Sequence, residues 1–450
     1  MVSKNDIYDV NVSSYGSEGE GICKIDGYTI FVPGAAAGDL ARIKVVKALK
    51  NYGYGKLIKV ISPSADRCVP ACPVAGMCGG CSIMHLDYDA QLRYKQQKVL
   101  DSMKRIGGIN VAVDETVASP LQAEYRNKVS LPVSTENEKI AVGFYALGSH
   151  RVVESDCCIL QMPFCKEIEN TVISYMENNG VSPYSEETCK GSIRHIFIRN
   201  GFHSGEIMVV IVSARKELPN EKELASALAA NINVKSVIIN YNPKKTNVIL
   251  GNHSRLLYGR DFIYDSISGL NFKINHRSFY QINTPVTELL YNKVLELMGD
   301  CTEKTVFDIY CGIGTISLFA ASLAKKVIGV EFIPEAVDNA RENAKDNNIG
   351  NAEFYAGDAA EVIKKLYEDG FSADIVILDP PRKGCIDILD TVVNINPEKI
   401  IYVSCNPATL ARDAKVLELN GYRIISVTPY DMFPHTSHVE TVVLITRVKE

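Results

Sequence analysis

Four apolar runs in the last third of the chain constrain its fold more than any other feature. "KTVFDIYCGIGT", "KVIGVE", "ADIVILDPP" and "KIIYVSCNP" start at Lys304, Lys326, Ala373 and Lys399, and each gives way to glycine, proline or a charged residue. A continuous apolar stretch of about 4 to 8 residues bounded by turn signals suits a strand buried on both faces. Helical patterns such as "PEAVDNARENAKDNN" stand between the runs. Strand and helix in regular alternation predict a parallel sheet with crossover helices, and an open sheet of that kind carries its chemistry beyond the carboxyl ends of its strands.

The chain has 450 residues, more than one such domain needs at about 100 to 200 residues each. Residues 1–60 read as a separate unit. "GICKI", "YTIFVPG", "LARIKVVKA" and "YGYGKLIKVI" are short alternating strands spaced by glycines, the pattern of a small closed OB-like β-barrel. Arg42, Lys44, Lys47, Lys50, Lys56 and Lys59 follow one another there with no acidic residue between them, interleaved with Tyr52 and Tyr54. Charge for phosphates and aromatic faces for unstacked bases suit RNA better than duplex DNA. Beyond the linker "SPSADRCVPACP", residues 61–280 mix a helical pattern, "YDAQLRYKQQKVLDSMKRI", with strand runs such as "HIFIRN" and "GEIMVVIVSA". That mixture predicts an α+β central domain. Residues 281–450 form the α/β, Rossmann-like domain.

A formal net charge of −5 argues against indiscriminate coating of nucleic acid, though not against a local basic face. The opening "MVSKNDIYDV" has no apolar leader, and no apolar run approaches the roughly 18 residues needed to span a bilayer, so a cytoplasmic protein without membrane contact is expected. In a reducing compartment the 13 cysteines are expected to be free, catalytic or metal-bound.

The strand ends carry the chemistry. Asp308 precedes "YCGIGT", whose Gly312 and Gly314 let the backbone approach a ligand, and the next strand ends in Glu331, near the spacing of an acid that holds a ribose diol. A nucleoside-containing cofactor is expected. Asp379 and the two prolines of "ILDPPRKG" make a stiff edge beside that pocket. Such a loop is familiar from S-adenosylmethionine enzymes; in those that methylate adenine amines an aromatic residue follows the prolines, where Arg382 stands here. A thiolate near an electrophilic methyl group suggests covalent catalysis, so Cys405 of "IYVSCNPATLARD" is a candidate nucleophile. Its addition to C6 of uracil would activate C5, and a base must then remove the C5 proton. Glu440, beside His438 in "FPHTSHVETVVLI", is the candidate base.

"CPVAGMCGGC" sets Cys72, Cys78 and Cys81 close together, with Gly79 and Gly80 allowing a tight wrap. Clustered thiolates ask for zinc or an iron–sulfur cluster, either of which needs a fourth ligand. "SDCCILQM" offers Cys157 or Cys158; a zinc ribbon would show a second Cys-x-x-Cys pair, which is missing. Cys68 is read as a bystander.

"FYQIN", "FDIYCGIGT", "DPPRKG", "SCNP" and "FPHTSHVE", in that order, resemble the RNA (uracil-5-)-methyltransferase family over essentially the whole chain, and residues 11–60 resemble a TRAM domain. The nearest resemblance is to the branch that acts on 23S ribosomal RNA. It implies Cys405 as nucleophile and Glu440 as base, with Gln281, Tyr310, Glu331 and Asp379 contacting S-adenosylmethionine. It also implies a [4Fe–4S] cluster on Cys72, Cys78, Cys81 and Cys157. "YRNKV" and "GFYALGSH" match as well, so Arg126, Lys128 and Tyr145 could contact RNA or be structural.

The expected function is S-adenosylmethionine-dependent methylation of uracil C5 in 23S ribosomal RNA, on a loop uridine extruded from its stack, by a monomer. Methylation of a tRNA T-loop uridine is the alternative within the chemistry. It fits less well, since the tRNA branch is expected to lack the barrel and the cluster cysteines. A nicotinamide-dependent iron–sulfur oxidoreductase would use the glycine loop but gives "SCNP" and "HVE" no role. A non-enzymatic RNA-binding protein leaves the reactive residues unexplained.

Overall fold

The computed structural model describes residues 2–154, 158–230 and 233–448. At the amino terminus, β1 (Ile7–Tyr15), β2 (Gly21–Ile25), β3 (Tyr28–Val32), β4 (Leu40–Ala48) and β5 (Tyr52–Ser62) close into a barrel in the order β1-β2-β3-β5-β4. Alternation decides which side chains fill it: Ile43 and Val45 point inward and are fully buried. The outward positions set Lys44 opposite Lys56 and Arg42 opposite Lys59 across the β4–β5 pair. Like charges face to face weaken a strand pair. Arg42 is offset by Asp9 at 2.7 Å. Phe31, Tyr52 and Tyr54 form an aromatic cluster beside this strip, with ring centroids 5.8–5.9 Å apart.

After α1 (Tyr88–Ser102), a second sheet is built from β6 (Lys128–Glu136), β7 (Lys139–Tyr145), β8 (Val152–Glu154), β9 (Ile193–Asn200), β10 (Ile207–Ser213), β11 (Val234–Tyr241) and β12 (His253–Gly259). Its order is β12-β11-β10-β9-β6-β7-β8. α2 (Phe164–Asn178) and α3 (Glu221–Ala229) cover one face through Ile168, Val172, Leu224 and Leu228. The other face, through Phe197, Met208 and Val210, shares a core with the hairpin β13 (Phe262–Ile267) and β14 (Leu270–Asn275). With both faces covered, every residue of β9 and β10 is buried, which is why their sequences show no alternation.

The third sheet follows α4 (Thr284–Met298). It contains β15 (Cys301–Ile309), β16 (Ala324–Glu331), β17 (Ala352–Ala356), β18 (Ile375–Leu378), β19 (Lys399–Ser404), β20 (Tyr422–Tyr430) and β21 (Glu440–Arg447), in the order β17-β16-β15-β18-β19-β21-β20. The first five strands run parallel, and β21 inserts antiparallel between β19 and β20. α5 (Thr315–Ala321), α6 (Pro334–Asp346), α7 (Ala359–Glu368), α8 (Leu389–Ile395) and α9 (Pro407–Leu419) make the crossovers. α1 packs against this third sheet, with Val99 in one core with Leu410 and Ala414. Residues 114–117 then run beside β20, Val117 N donating to Pro429 O at 2.8 Å. Among the described residues, no helix is long and apolar enough to cross a membrane.

Candidate functional site

Strand order reverses between β15 and β18, and the crevice above that switch point is where doubly wound sheets bind ligands. A cavity of about 730 Å³ opens there. Its first wall is the turn after β15. Tyr310 adopts φ 71° and Gly312 φ 57°, and the amides of Tyr310 and Cys311 both donate to Val330 O. Gly312 N then donates to Glu331 Oε2 at 3.2 Å and Ile333 N to Oε1 at 2.9 Å. Two backbone amides thus orient the Glu331 carboxylate at the end of β16. A Cβ on Gly312 would meet nothing within 4 Å, so the turn leaves open room beside the backbone.

The opposite wall holds the acids and the thiol. Asp379 ends β18 with Asp308 close by on β15, whose Oδ2 accepts from Ser317 Oγ at 2.5 Å. Burial pushes the Asp308 carboxyl up to about 6 and, with Asp308 adding repulsion, that of Asp379 up to about 7. Burial, and then Asp379, push Glu440 well above the carboxylate range, with Arg382 opposing. Sheet register brings Glu440 to the thiol. Ser404 of β19 pairs with Thr441 of β21, so one step further sets Cys405 opposite Glu440. Both line the cavity with Asp379. Asn406 caps α9 through its side-chain oxygen, with Pro407 in the first turn, which places Cys405 just ahead of a 13-residue helix.

The third side comes from the stretch before α4. Gln281 is buried, and its carbonyl accepts from Asn127 Nδ2 at 2.7 Å. Gln281, Tyr310, Glu331, Asp379, Cys405 and Glu440, far apart in sequence, therefore border one cavity. Sequence reasoning had no place in it for Phe279 or Phe433 and left Lys128 undecided; all three line it. Burial pushes the Lys128 ammonium down to about 8. Its position at the start of an apolar strand in "YRNKV" was the available signal. His438 is kept neutral, pushed down to about 4 by burial and by Arg382.

The loop leading to Glu440 is clamped from outside. Lys95 and Asp431 form an ion pair with both side chains fully buried, and Lys95 Nζ also donates to Phe433 O at 3.0 Å. Lys98 Nζ donates to Ser437 O at 2.8 Å and Tyr125 OH to Pro434 O at 3.1 Å. The cysteine segment joins in: Ile83 N donates to His435 O at 3.1 Å and Ser437 N to Ser82 Oγ at 2.9 Å.

Cys72, Cys78, Cys81 and Cys158 line one apolar cavity together with Arg126. Cys157 lies outside the described residues. Burial pushes the Cys81 thiol up to about 12, and the Arg126 Nε has no hydrogen-bond partner among the described residues. Among those residues, no three His, Cys, Asp or Glu side chains gather as around a single ion. Cys68 stands apart from this cavity, its Sγ donating to Met84 O at 3.5 Å.

The chain is 45% identical over 447 residues to a protein of Clostridium tetani described as an uncharacterized RNA methyltransferase, covering 99% of this chain and 97% of that one. A Bacillus cereus protein of the same description is 44% identical over 452 residues, with 100% and 98% covered. Among solved structures, the tRNA (uracil-54, C5)-methyltransferase of Pyrococcus abyssi, in complex with S-adenosyl-L-homocysteine, superposes with a TM-score of 0.78 at 28% identity, over 97% of this chain and 99% of its own. That coverage leaves too little of this chain unmatched for the relative to lack the barrel, which corrects the expectation that a barrel separates rRNA from tRNA enzymes. Residues 2–58 match the TRAM domain. With residues 87–448 matching the model of tRNA (uracil-5-)-methyltransferases, the chain belongs to that family.

Proposed function

We propose that this protein methylates C5 of a uracil in 23S ribosomal RNA, with S-adenosylmethionine as donor and Cys405 as covalent nucleophile. The observation that carries the reading is the register of β19 and β21, which sets thiol and carboxyl opposite each other on a cavity that Glu331 and Gly312 also border. These residues suit the donor: Glu331 offers a carboxylate for a ribose diol, Gly312 leaves room at the backbone, and Gln281, Tyr310 and Asp379 complete the border. S-adenosylmethionine would supply an electrophilic methyl group on a cationic sulfur, a charge that favours ionisation of acids beside it.

An extruded uracil reaches Cys405 from the open side of the cavity. The thiolate adds to C6, and the C5=C6 electron pair moves toward C4 and O4 as an enolate, making C5 nucleophilic. Once C5 carries the methyl group, Glu440 as carboxylate takes the C5 proton, the S–C6 bond breaks and the double bond re-forms. Unstacking the base costs a few kcal/mol, which the lysine strip and aromatic cluster of the barrel would offset by gripping phosphates and bases. The cysteine cavity supports a [4Fe–4S] cluster better than zinc, because thiolates of a cluster bind different irons and need not converge on one point. Cys72, Cys78 and Cys81 would be three ligands and Cys157 the fourth; half-buried Arg126 supplies positive charge beside them.

A tRNA T-loop uridine is the second reading for the substrate, favoured by the Pyrococcus abyssi relative. A trap separates the two. With donor present, 23S ribosomal RNA and tRNA carrying 5-fluorouridine are each incubated with the protein and run on a denaturing gel. A covalent adduct with 23S RNA, absent in Cys405→Ala, is expected; an adduct with tRNA alone would move the substrate. No adduct with either RNA would overturn the covalent reading. Glu440→Gln should accumulate the adduct even with ordinary RNA.

A further inference from the structure

The proposed nucleophile sits in surroundings that disfavour its ionised form. Burial, Glu440 and Asp379 push the Cys405 thiol upward, to about 11 even with Arg382 opposing them. A thiolate formed there needs a cation, and the neighbouring residues in sequence, Ser404 and Asn406, supply none. The cation comes from the loop after β18. Arg382 lines the same cavity as Cys405 and Glu440, and it has no ion-pair partner among the described residues. Lys383 beside it turns toward Asp387 at 3.5 Å.

The backbone of Arg382 is fixed to the thiol's own loop. Its carbonyl accepts from Asn406 Nδ2 at 3.0 Å and from Thr409 Oγ1 at 3.2 Å. Arg412 donates to Lys383 O at 2.9 Å, and Asp413 accepts from Cys385 N at 2.8 Å and Tyr402 OH at 2.8 Å. Gly384, at φ 78°, lets the chain turn back against Thr409 and Asp413, where a Cβ would clash with the Asp413 carboxylate at 2.5 Å. Four bonds between the two segments hold one geometry.

We propose that Arg382 is the residue that favours the thiolate of Cys405: its guanidinium, carried on a backbone fixed by the bonds between the two loops, donates to Sγ before attack and again when sulfur departs. This rests on Cys405 being the nucleophile. Sγ loses its proton to solvent before attack, and Arg382 donates an N–H to the anion without transferring the proton. When the S–C6 bond breaks, the electron pair returns to sulfur opposite the same N–H. The helix amino terminus just beyond Cys405 acts in the same direction.

The test reads sulfur alone, without RNA or donor. The full-length protein is alkylated with iodoacetamide across pH 6 to 10, and the Cys405 peptide is quantified by mass spectrometry in wild type, Arg382→Gln and Arg382→Lys. Arg382→Gln should displace the Cys405 profile upward by about one pH unit, which at fixed pH below the inflection is about a tenfold slower reaction. Arg382→Lys should recover part of it, and Cys189, an exposed thiol, should react alike in all three. A superimposable Cys405 profile in Arg382→Gln would overturn the proposal, and lost methylation alongside it would assign Arg382 to RNA contact. Because alkylation needs no substrate, this result stands apart from the fluorouridine trap, whose failure would instead remove the nucleophile.

Discussion

Lys95→Met tests whether the loop before Glu440 is held by charge. Lys95 and Asp431 are both 0% exposed, so removing the ammonium leaves a carboxylate in a dry site. Breaking a buried pair from one side costs about 3–5 kcal/mol, and the lost bond to Phe433 O adds about 1 kcal/mol. At roughly 2–4 °C per kcal/mol for a unit the size of the third sheet and its helices, the melting temperature should fall by on the order of 10 °C. Removing both partners should cost far less: in Lys95→Met/Asp431→Leu the site becomes apolar, and most of the loss should return. Differential scanning fluorimetry at matched protein concentration reads all three proteins, and hydrogen exchange over residues 431–439 should show faster opening in the single variant. A single variant melting within 2 °C of wild type would refute the reasoning, as would a double variant no better than the single.

The buried acids make a pH prediction. Asp308 and Asp379 titrate near 6 and 7 when folded, and Glu440 is raised well above its ordinary value too, so between pH 4 and 7 the folded protein holds protons that the unfolded chain has released. The ligand-free protein should therefore lose stability as pH rises through that window, by up to about 1.4 kcal/mol per pH unit for each group, and Asp379→Asn should flatten the melting curve against pH. Lys44→Gln/Lys56→Gln should weaken RNA binding and reduce the slope of log affinity against log salt by between one and two, while donor binding by calorimetry stays unchanged. Protein purified without oxygen should be brown, with about four irons per chain; Cys81→Ser should remove the colour, and one zinc with no sulfide would dismiss the cluster.

The parallel strands were legible because each is buried on both faces and reads as an unbroken apolar run. Glu440 was legible as a candidate base at a strand entrance, but not as the residue facing the thiol. That it faces Cys405 depends on β21 inserting antiparallel between β19 and β20, a choice of sheet order that local sequence does not encode. Lys95 reads as one more polar residue of a helix because its partner is 336 residues away. α1 likewise precedes the central sheet in sequence and packs on the third, where Val99 meets Leu410. Arg382 was noticed only as a departure from an aromatic residue in related loops. Its closeness to sulfur arises from bonds between two loops that no spacing rule joins.

The bonds from Ser82 and Ile83 to the loop before Glu440 also set a timetable. Ser82 and Ser437 are 355 residues apart, and a ribosome adding about 5–20 residues per second needs roughly 20–70 s to travel between them. Throughout that interval Cys72, Cys78 and Cys81 have been synthesised, but the loop that will cover their neighbours has not. The segment is open to metal, or to oxidation, during synthesis and is closed over only once the loop before Glu440 has emerged. Co-translational assembly would thus favour loading the cysteines first and completing the catalytic wall second.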